Sequence, residues 1–165
     1  MNIPQALDDS WQEAVTAYQN GEINSECTLQ SIVFARLRAH AFDEIVFCEP
    51  LIDCGRDGCL IPDIVITRAQ SVIAIVELKF VPHGYPVYEL DLRKLSILAK
   101  CEDAFTLRLE PTTGCFSVEM FTINPECILA FAAIGRKDAV AVDAYLLRQK
   151  MHEFGHRFMP LVASV

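Results

Sequence analysis

Two apolar runs dominate the middle of the chain. Residues 60–66 and 72–80 are rich in Val and Ile and apolar at odd and even positions alike, the pattern of strands buried on both faces. Upstream, Leu7, Trp11, Val15 and Tyr18 recur at helical spacing over 7–19, and Asn20-Gly21 supplies the stop. Asn24 or Ser25 can cap a second helix running to about His40, with Leu29, Ile32, Val33 and Leu37 as its apolar stripe. Residues 44–52 read as the first strand, and Gly55 to Gly58 as a turn leading into the two apolar runs. A loop over 82–86 precedes a helix over 89–101, on which Leu90, Lys94, Leu95 and Leu98 share one broad face. A turn at 111–114 opens a loosely alternating strand over 115–123, and 127–134 is a further buried run closed by Gly135. The pattern then returns to helix over 137–158, with Val140, Ala144, Leu147 and Met151 along one side.

This order predicts an α/β protein of mixed α+β topology, with a central mixed sheet and helices on both sides. No repeat, linker or low-complexity segment interrupts it. At 165 residues the chain suits one domain with a sizeable core. The expected division is an acidic N-terminal helix over 1–23, a core over 24–134 and a C-terminal helix over 135–165. A hydrophobic content of 52% with 22% charged residues excludes a disordered chain. The longest apolar run, 128–134, is far too short to span a bilayer, and no secretory signal pattern opens the chain. Seven cysteines without regular spacing favour a reducing, cytoplasmic setting over a disulfide framework. Cys54 and Cys59 flank the turn without CxxC spacing and read as turn thiols.

Charge inside the apolar runs carries the chemistry. Asp63 and Glu77 are carboxylates in segments where an unpaired charge is costly to bury. Glu77 and Lys79 lie two apart, so a strand sends both side chains from one face. Two acids and an ammonium converging at a sheet edge suit a divalent cation and phosphate chemistry. Glu26 falls on the buried side of its helix, three residues before Leu29. It reads either as part of this site or as an acid favouring the helix N-terminus, and Gln30 is the next candidate one turn later. Lys94 points to the core side of its own helix, where it can touch a phosphate, snorkel to water or pair with Glu89 or Asp91. His83, beside a turn, is close enough in sequence to Lys79 to be a candidate; His40 is a lone turn histidine.

Pro62-Asp63, thirteen intervening residues and then Glu77-Leu78-Lys79 resemble the bipartite signature of the PD-(D/E)XK nuclease superfamily, the restriction-endonuclease-like enzymes. The likeness covers about 24–134. It implies an α-β-β-β-α-β core with the signature on two strands of a hairpin. It also implies a metal-dependent phosphodiesterase that hydrolyses DNA or RNA. Asp63 and Glu77 would hold Mg²⁺ or Mn²⁺ with the Leu78 carbonyl, and Glu26 would add a ligand. Lys79 would orient the attacking water, Lys94 would contact substrate, and a homodimer would let two sites cut two strands; His83, by its nearness to Lys79 in sequence, is a further substrate-binding candidate.

Two observations pull against that expectation. The net charge is −8, whereas proteins that bind free duplex carry a basic face. Asp8, Asp9, Glu13, Glu22 and Glu26 account for five of those eight negative charges, with no Lys or Arg before residue 27. The balance suits nucleic acid delivered by a protein partner, or a catalytically inactive nuclease-like module with a binding or regulatory role. The second is His152-Glu153-Phe154-Gly155-His156, which fits the HExxH pattern of zinc peptidases. No His, Cys, Asp or Glu follows among residues 157–165 to serve as a third ligand, so a zinc peptidase is the weaker alternative.

Overall fold

Helices form where the apolar stripe and the capping residues agree. In the computed structural model, which describes residues 1–83, 88–101, 103–109, 114–136 and 144–165, α1 spans Ile3–Gln19 and α2 spans Glu26–His40. The Asn2 side chain caps α1 by accepting from the Gln5 N–H. Ser25 caps α2 by accepting from the Thr28 N–H at 3.1 Å. Between them Gly21 takes φ 77, the left-handed conformation that glycine adopts without a Cβ penalty.

The strands are β1 (Glu44–Cys48), β2 (Leu51–Asp53), β3 (Cys59–Leu60), β4 (Ile64–Arg68), β5 (Ser71–Val81), β6 (Asp103–Leu109), β7 (Phe116–Gly135) and β8 (Phe158–Ser164). They make one mixed sheet in the order β1-β4-β5-β7-β6-β2-β3, with β8 pairing β7. β1, β4 and β5 form an antiparallel meander. β7 then runs parallel to β5, reached through α3 (Glu89–Leu98) and β6, and β8 runs parallel to β7 after α4 (Ala144–Phe154). α1 and α2 cover one face, where Leu7, Trp11, Leu29 and Leu37 pack on Ile64, Val76 and Leu78. α3 covers the other face, where Leu92, Leu95 and Leu98 pack on Ile75, Leu129 and Phe131, and Leu146 and Leu147 of α4 join them. The expected mixed sheet flanked by helices on both sides is therefore present.

Several boundaries differ from the sequence reading, each for a physical reason. The single strand expected over 44–52 breaks at Glu49, which takes φ 48, so β1 pairs with β4 while β2 crosses to β6 and β3. The two strands expected over 115–123 and 127–134 are one element. β7 pairs with β5 on both sides of the break, from Thr122 to Gly135, but Asn124, Pro125 and Glu126 bulge, so the partner of Val72 is Ile123 and that of Ala74 is Ile128. β6 was not legible in the sequence, because its strand character comes from pairing with β7.

The chain beyond 135 is not only a helix. α4 ends at Phe154, and Gly155, at φ 58, opens a short 3-10 turn. The tail read as the end of a helix is instead the edge strand β8, whose Pro160 is tolerable at a sheet edge. On α3 the buried stripe is Leu92, Leu95 and Leu98, while Leu90 is exposed. Residues 84–86 of the expected loop, 111–113 of the expected turn and 137–143 of the last expected helix lie outside the described residues. Among the described residues no helix is long and apolar enough to cross a membrane.

Candidate functional site

The site lies where β4 and β5 part. Their ladder closes at Ile64 opposite Val76, but β5 continues to Val81 with only β7 beside it. Alternate main-chain groups of β5 beyond Val76 consequently lose a strand partner on one side. Two carboxylates fill the gap. Asp63 Oδ2 accepts from the Leu78 N–H at 2.6 Å, and Glu26 Oε2, from the first turn of α2, accepts from the Phe80 N–H at 3.2 Å. Ladder geometry points a residue's C=O the same way as its N–H, so the Leu78 carbonyl also faces this open edge. Asp63 is fixed through its own carbonyl, which accepts from the Glu49 N–H at 2.9 Å and from Gln30 Nε2 at 3.1 Å. Glu49 is the residue with φ 48. Its left-handed conformation, costly for a side chain with a Cβ, marks the turn that holds Asp63 at the end of β4.

The alternation of β5 sends Val76 and Leu78 towards α1 and α2, so Glu77 and Lys79 leave on the α3 side. α3 meets them with Lys94 and Asp91. Lys94 Nζ donates to Glu77 Oε2 at 2.6 Å and to the Ile61 carbonyl at 2.9 Å. Lys79 Nζ lies 3.2 Å from Asp91 Oδ2 and 3.7 Å from Glu26 Oε2. Glu26, Asp63, Glu77, Lys79, Asp91 and Lys94 thus form one cluster of four acids and two lysines. The Glu77 side chain is 1% exposed, and its Oε1 is buried without a hydrogen-bond partner, an arrangement that costs free energy unless a proton or cation compensates it.

The electrostatics follow from crowding. Burial pushes Glu77 up, the neighbouring Asp63 charge pushes it further and Lys94 pulls against both, leaving it at about 9. Burial likewise raises Asp63 to about 6, against the Leu78 N–H and the Lys94 charge, which lower it. For Lys79, burial disfavours the ammonium, but the carboxylates of Asp91 and Glu26 outweigh it and the net shift is upward. Lys79 is therefore held charged, as a donor rather than a base.

The sequence-predicted residues sort clearly. Asp63, Glu77, Lys79 and Glu26 come together, and Gln30 supports Asp63 through its main chain. Glu26 both opens α2 and joins the cluster, so its two readings describe one position. Lys94 reaches the cluster, but its ammonium is engaged internally by Glu77 and Ile61 rather than turned outward to a phosphate. His83 is exposed, two residues past the end of β5, and joins none of these contacts among the described residues. Asp91 was missed as a site residue. It lies three residues before inward-facing Lys94, on the same helical face, and that spacing was the available signal.

The cluster's donors are hard oxygens, as Mg²⁺ or Mn²⁺ requires. As they stand, no three His, Cys, Asp or Glu side chains among the described residues are arranged to hold an ion. The two lysines hold the positive charge between the acids, while Glu77 Oε1 remains a buried acceptor without a partner that a cation would compensate.

The HExxH arrangement does not form. α4 ends before Gly155, so His156 is off the helix bearing His152, and its Nε2 meets Glu126 Oε2 at 2.6 Å. Glu153 pairs with Lys150 at 2.6 Å. A zinc site on two histidines of one helical face is absent from these residues.

A second acid has the opposite electrostatics. Glu44, 1% exposed, accepts from Arg68 at 2.7 Å and from the Met1 amino group at 3.0 Å. The Arg68 guanidinium is the main influence; burial opposes it, and the amino group and the Phe42 N–H add to it, so Glu44 falls from 4.5 to about 2. The unfolded chain binds its proton more readily, so this stabilisation is present above pH 4.5 and is lost as pH falls through about 2. Glu44→Gln should lower stability near neutral pH, and the gap to the wild type should close between those values in urea titrations. A gap that stays constant with pH would refute the assignment.

Comparison of the chain with protein-family models, with curated proteins and with solved structures returns no match. Fold and site therefore define the class on their own: a mixed α/β protein with an acid–lysine cluster at a parted strand edge.

Proposed function

We propose that this protein is a metal-dependent phosphodiesterase of the PD-(D/E)XK kind, acting on DNA or RNA. The observation that carries the reading is the convergence of Asp63, Glu77 and Lys79 on the edge where β5 outruns β4. Two features of the fold support it. Glu77 lies on β5 and Asp63 immediately precedes β4 of the antiparallel β4–β5 hairpin, and the elements α2, β1, β4, β5, α3 and β7 follow the α-β-β-β-α-β order, with β7 parallel beside β5. β2, β3 and β6 are additions to that order.

In this reading Asp63 and Glu77 would hold the ion with the Leu78 carbonyl, and Glu26 would be a further donor. Bound there, a divalent cation lowers the pKa of water and offsets charge on the phosphate. Lys79, kept protonated by its acidic neighbours, donates to the attacking water or to a phosphate oxygen and steadies the developing negative charge. Lys94 keeps Glu77 oriented from behind. The acidic overall balance is met by a partner that delivers the nucleic acid, and a homodimer remains compatible with cleavage of two strands.

A second reading has its own observation. Glu77 is paired with Lys94, and Lys79 with both Asp91 and Glu26, so the cluster is largely self-neutralised. That suits a nuclease-like module that binds or regulates without catalysis. Two measurements on the purified protein separate the readings. Nuclease assays with Mg²⁺ or Mn²⁺ on single- and double-stranded DNA and RNA should show hydrolysis that Asp63→Ala abolishes. Mn²⁺ titration should show saturable binding in the micromolar to millimolar range. Cleavage that survives Asp63→Ala sinks the proposed mechanism, and no measurable Mn²⁺ binding favours the inactive module.

A further inference from the structure

Lys79 is held by carboxylates from two helices on opposite faces of the sheet, and the two contacts are unequal. Asp91 Oδ2, on α3, is at 3.2 Å, and Glu26 Oε2, on α2, is at 3.7 Å. Glu26 is already committed, since the same oxygen accepts from the Phe80 N–H at 3.2 Å, and its side chain is 45% exposed. Asp91 is 15% exposed, and its Oδ2 is buried without a well-aligned hydrogen bond of its own. The Lys79 ammonium is therefore the compensating group for that buried oxygen, and moving it would leave the carboxylate orphaned. Lys79 has four rotatable bonds and would otherwise spread over many rotamers. A half-buried carboxylate on a packed helix, anchored by Leu92 and Leu95 with no exposure beyond 1%, is a rigid post against which to fix it.

We infer that Asp91 is a positioning residue: it fixes the Lys79 ammonium at the open edge of β5 and spares Glu26 from being its sole counter-ion. This rests on the phosphodiesterase reading for its catalytic consequence but not for the tether itself. Asp91 acts through Lys79 and touches neither substrate nor the reacting atoms. If Glu26 turns to a cation, Lys79 keeps one anionic partner and stays in place. Without Asp91, Lys79 would depend on Glu26 alone, and the two uses of Glu26 would compete.

Two measurements on the full chain test this separately. In the first, amine acylation of native protein is followed at each lysine by peptide mass spectrometry. Asp91→Asn should raise the labelling rate of Lys79 several-fold while that of Lys94 stays unchanged, and Asp91→Glu should keep Lys79 slow. In the second, hydrolysis with Mn²⁺ should lose roughly 10–100-fold in kcat in Asp91→Asn with little change in KM, the scale seen when a group supporting a site residue is removed. Asp91→Glu should recover most of the loss. Unchanged Lys79 labelling in Asp91→Asn overturns the tether whatever the activity. Raised labelling with undiminished kcat overturns the catalytic consequence. If labelling rises and the wild type hydrolyses nothing, the tether stands and the phosphodiesterase reading is what fails.

Discussion

Glu77→Gln should abolish hydrolysis and, in the same molecule, make the fold more resistant to alkaline pH. The activity loss should be roughly 10²–10³-fold or more, the scale of removing one preorganised electrostatic contact to a transition state. The stability effect follows from linkage. Glu77 ordinarily titrates near 4.5 and stands at about 9 in the folded protein, so between those values the native state binds a proton that the unfolded state has released. Its contribution is complete below pH 4.5 and is lost as pH rises through about 9. Asp63, raised from 3.8 to about 6, acts in the same direction over its narrower window. A glutamine has no proton to lose, and its amide oxygen can still accept from Lys94. Urea midpoints for wild type and Glu77→Gln should therefore diverge from pH 5 to pH 9, in favour of the variant. Parallel curves would show that Glu77 is not the strained acid described here. A stable but inactive variant is the expected signature of a residue retained for chemistry at a cost in stability.

The second large effect is on Lys94. Lys94→Ala should destabilise the protein by about 2–4 kcal/mol above pH 9, where Glu77 is ionised, because it strips a buried carboxylate of its counter-charge and the Ile61 carbonyl of a donor. The lower part of that range is expected, since Glu77 can take up a proton instead of remaining charged and unpaired. The pair predicts strong coupling: in a Glu77→Gln background the same Lys94→Ala change should cost at least about 1 kcal/mol less. Additive costs across that double-mutant cycle would mean that Lys94 stabilises the fold through its aliphatic stem on α3 and not through Glu77. Its role as an internal counter-ion would then be withdrawn.

Much of the site was legible because burial and charge conflict openly in the sequence. A carboxylate followed two residues later by a lysine, inside a run of Val and Ile, needs compensation wherever the strand is placed. The helical phase of Glu26 against Leu29 and Val33 gave its direction, and that of Lys94 against Leu95 and Leu98 did the same. What the sequence left open was which partner each charge would meet. Lys94 pairs with Glu77 instead of facing outward, His83 stays apart, and Asp91 enters because α3 packs beside β5. Those outcomes depend on which helix lies on which face of the sheet. Likewise β6 and β8 exist as strands because β7 offers them an edge, which no local pattern encodes.

By itself, then, the sequence determined the element types of the long periodic segments, the mixed α/β class and the cost of burying Asp63 and Glu77. Each of these follows from side chains a few residues apart. The tertiary structure alone decided that β4 stops at Ile64 while β5 runs on to Val81. That difference in strand length leaves the Leu78 and Phe80 N–H groups without a strand partner, and the carboxylates of Asp63 and Glu26 converge to satisfy them. The cluster exists at that edge because unpaired main-chain donors there must be met by acceptors from elsewhere in the chain.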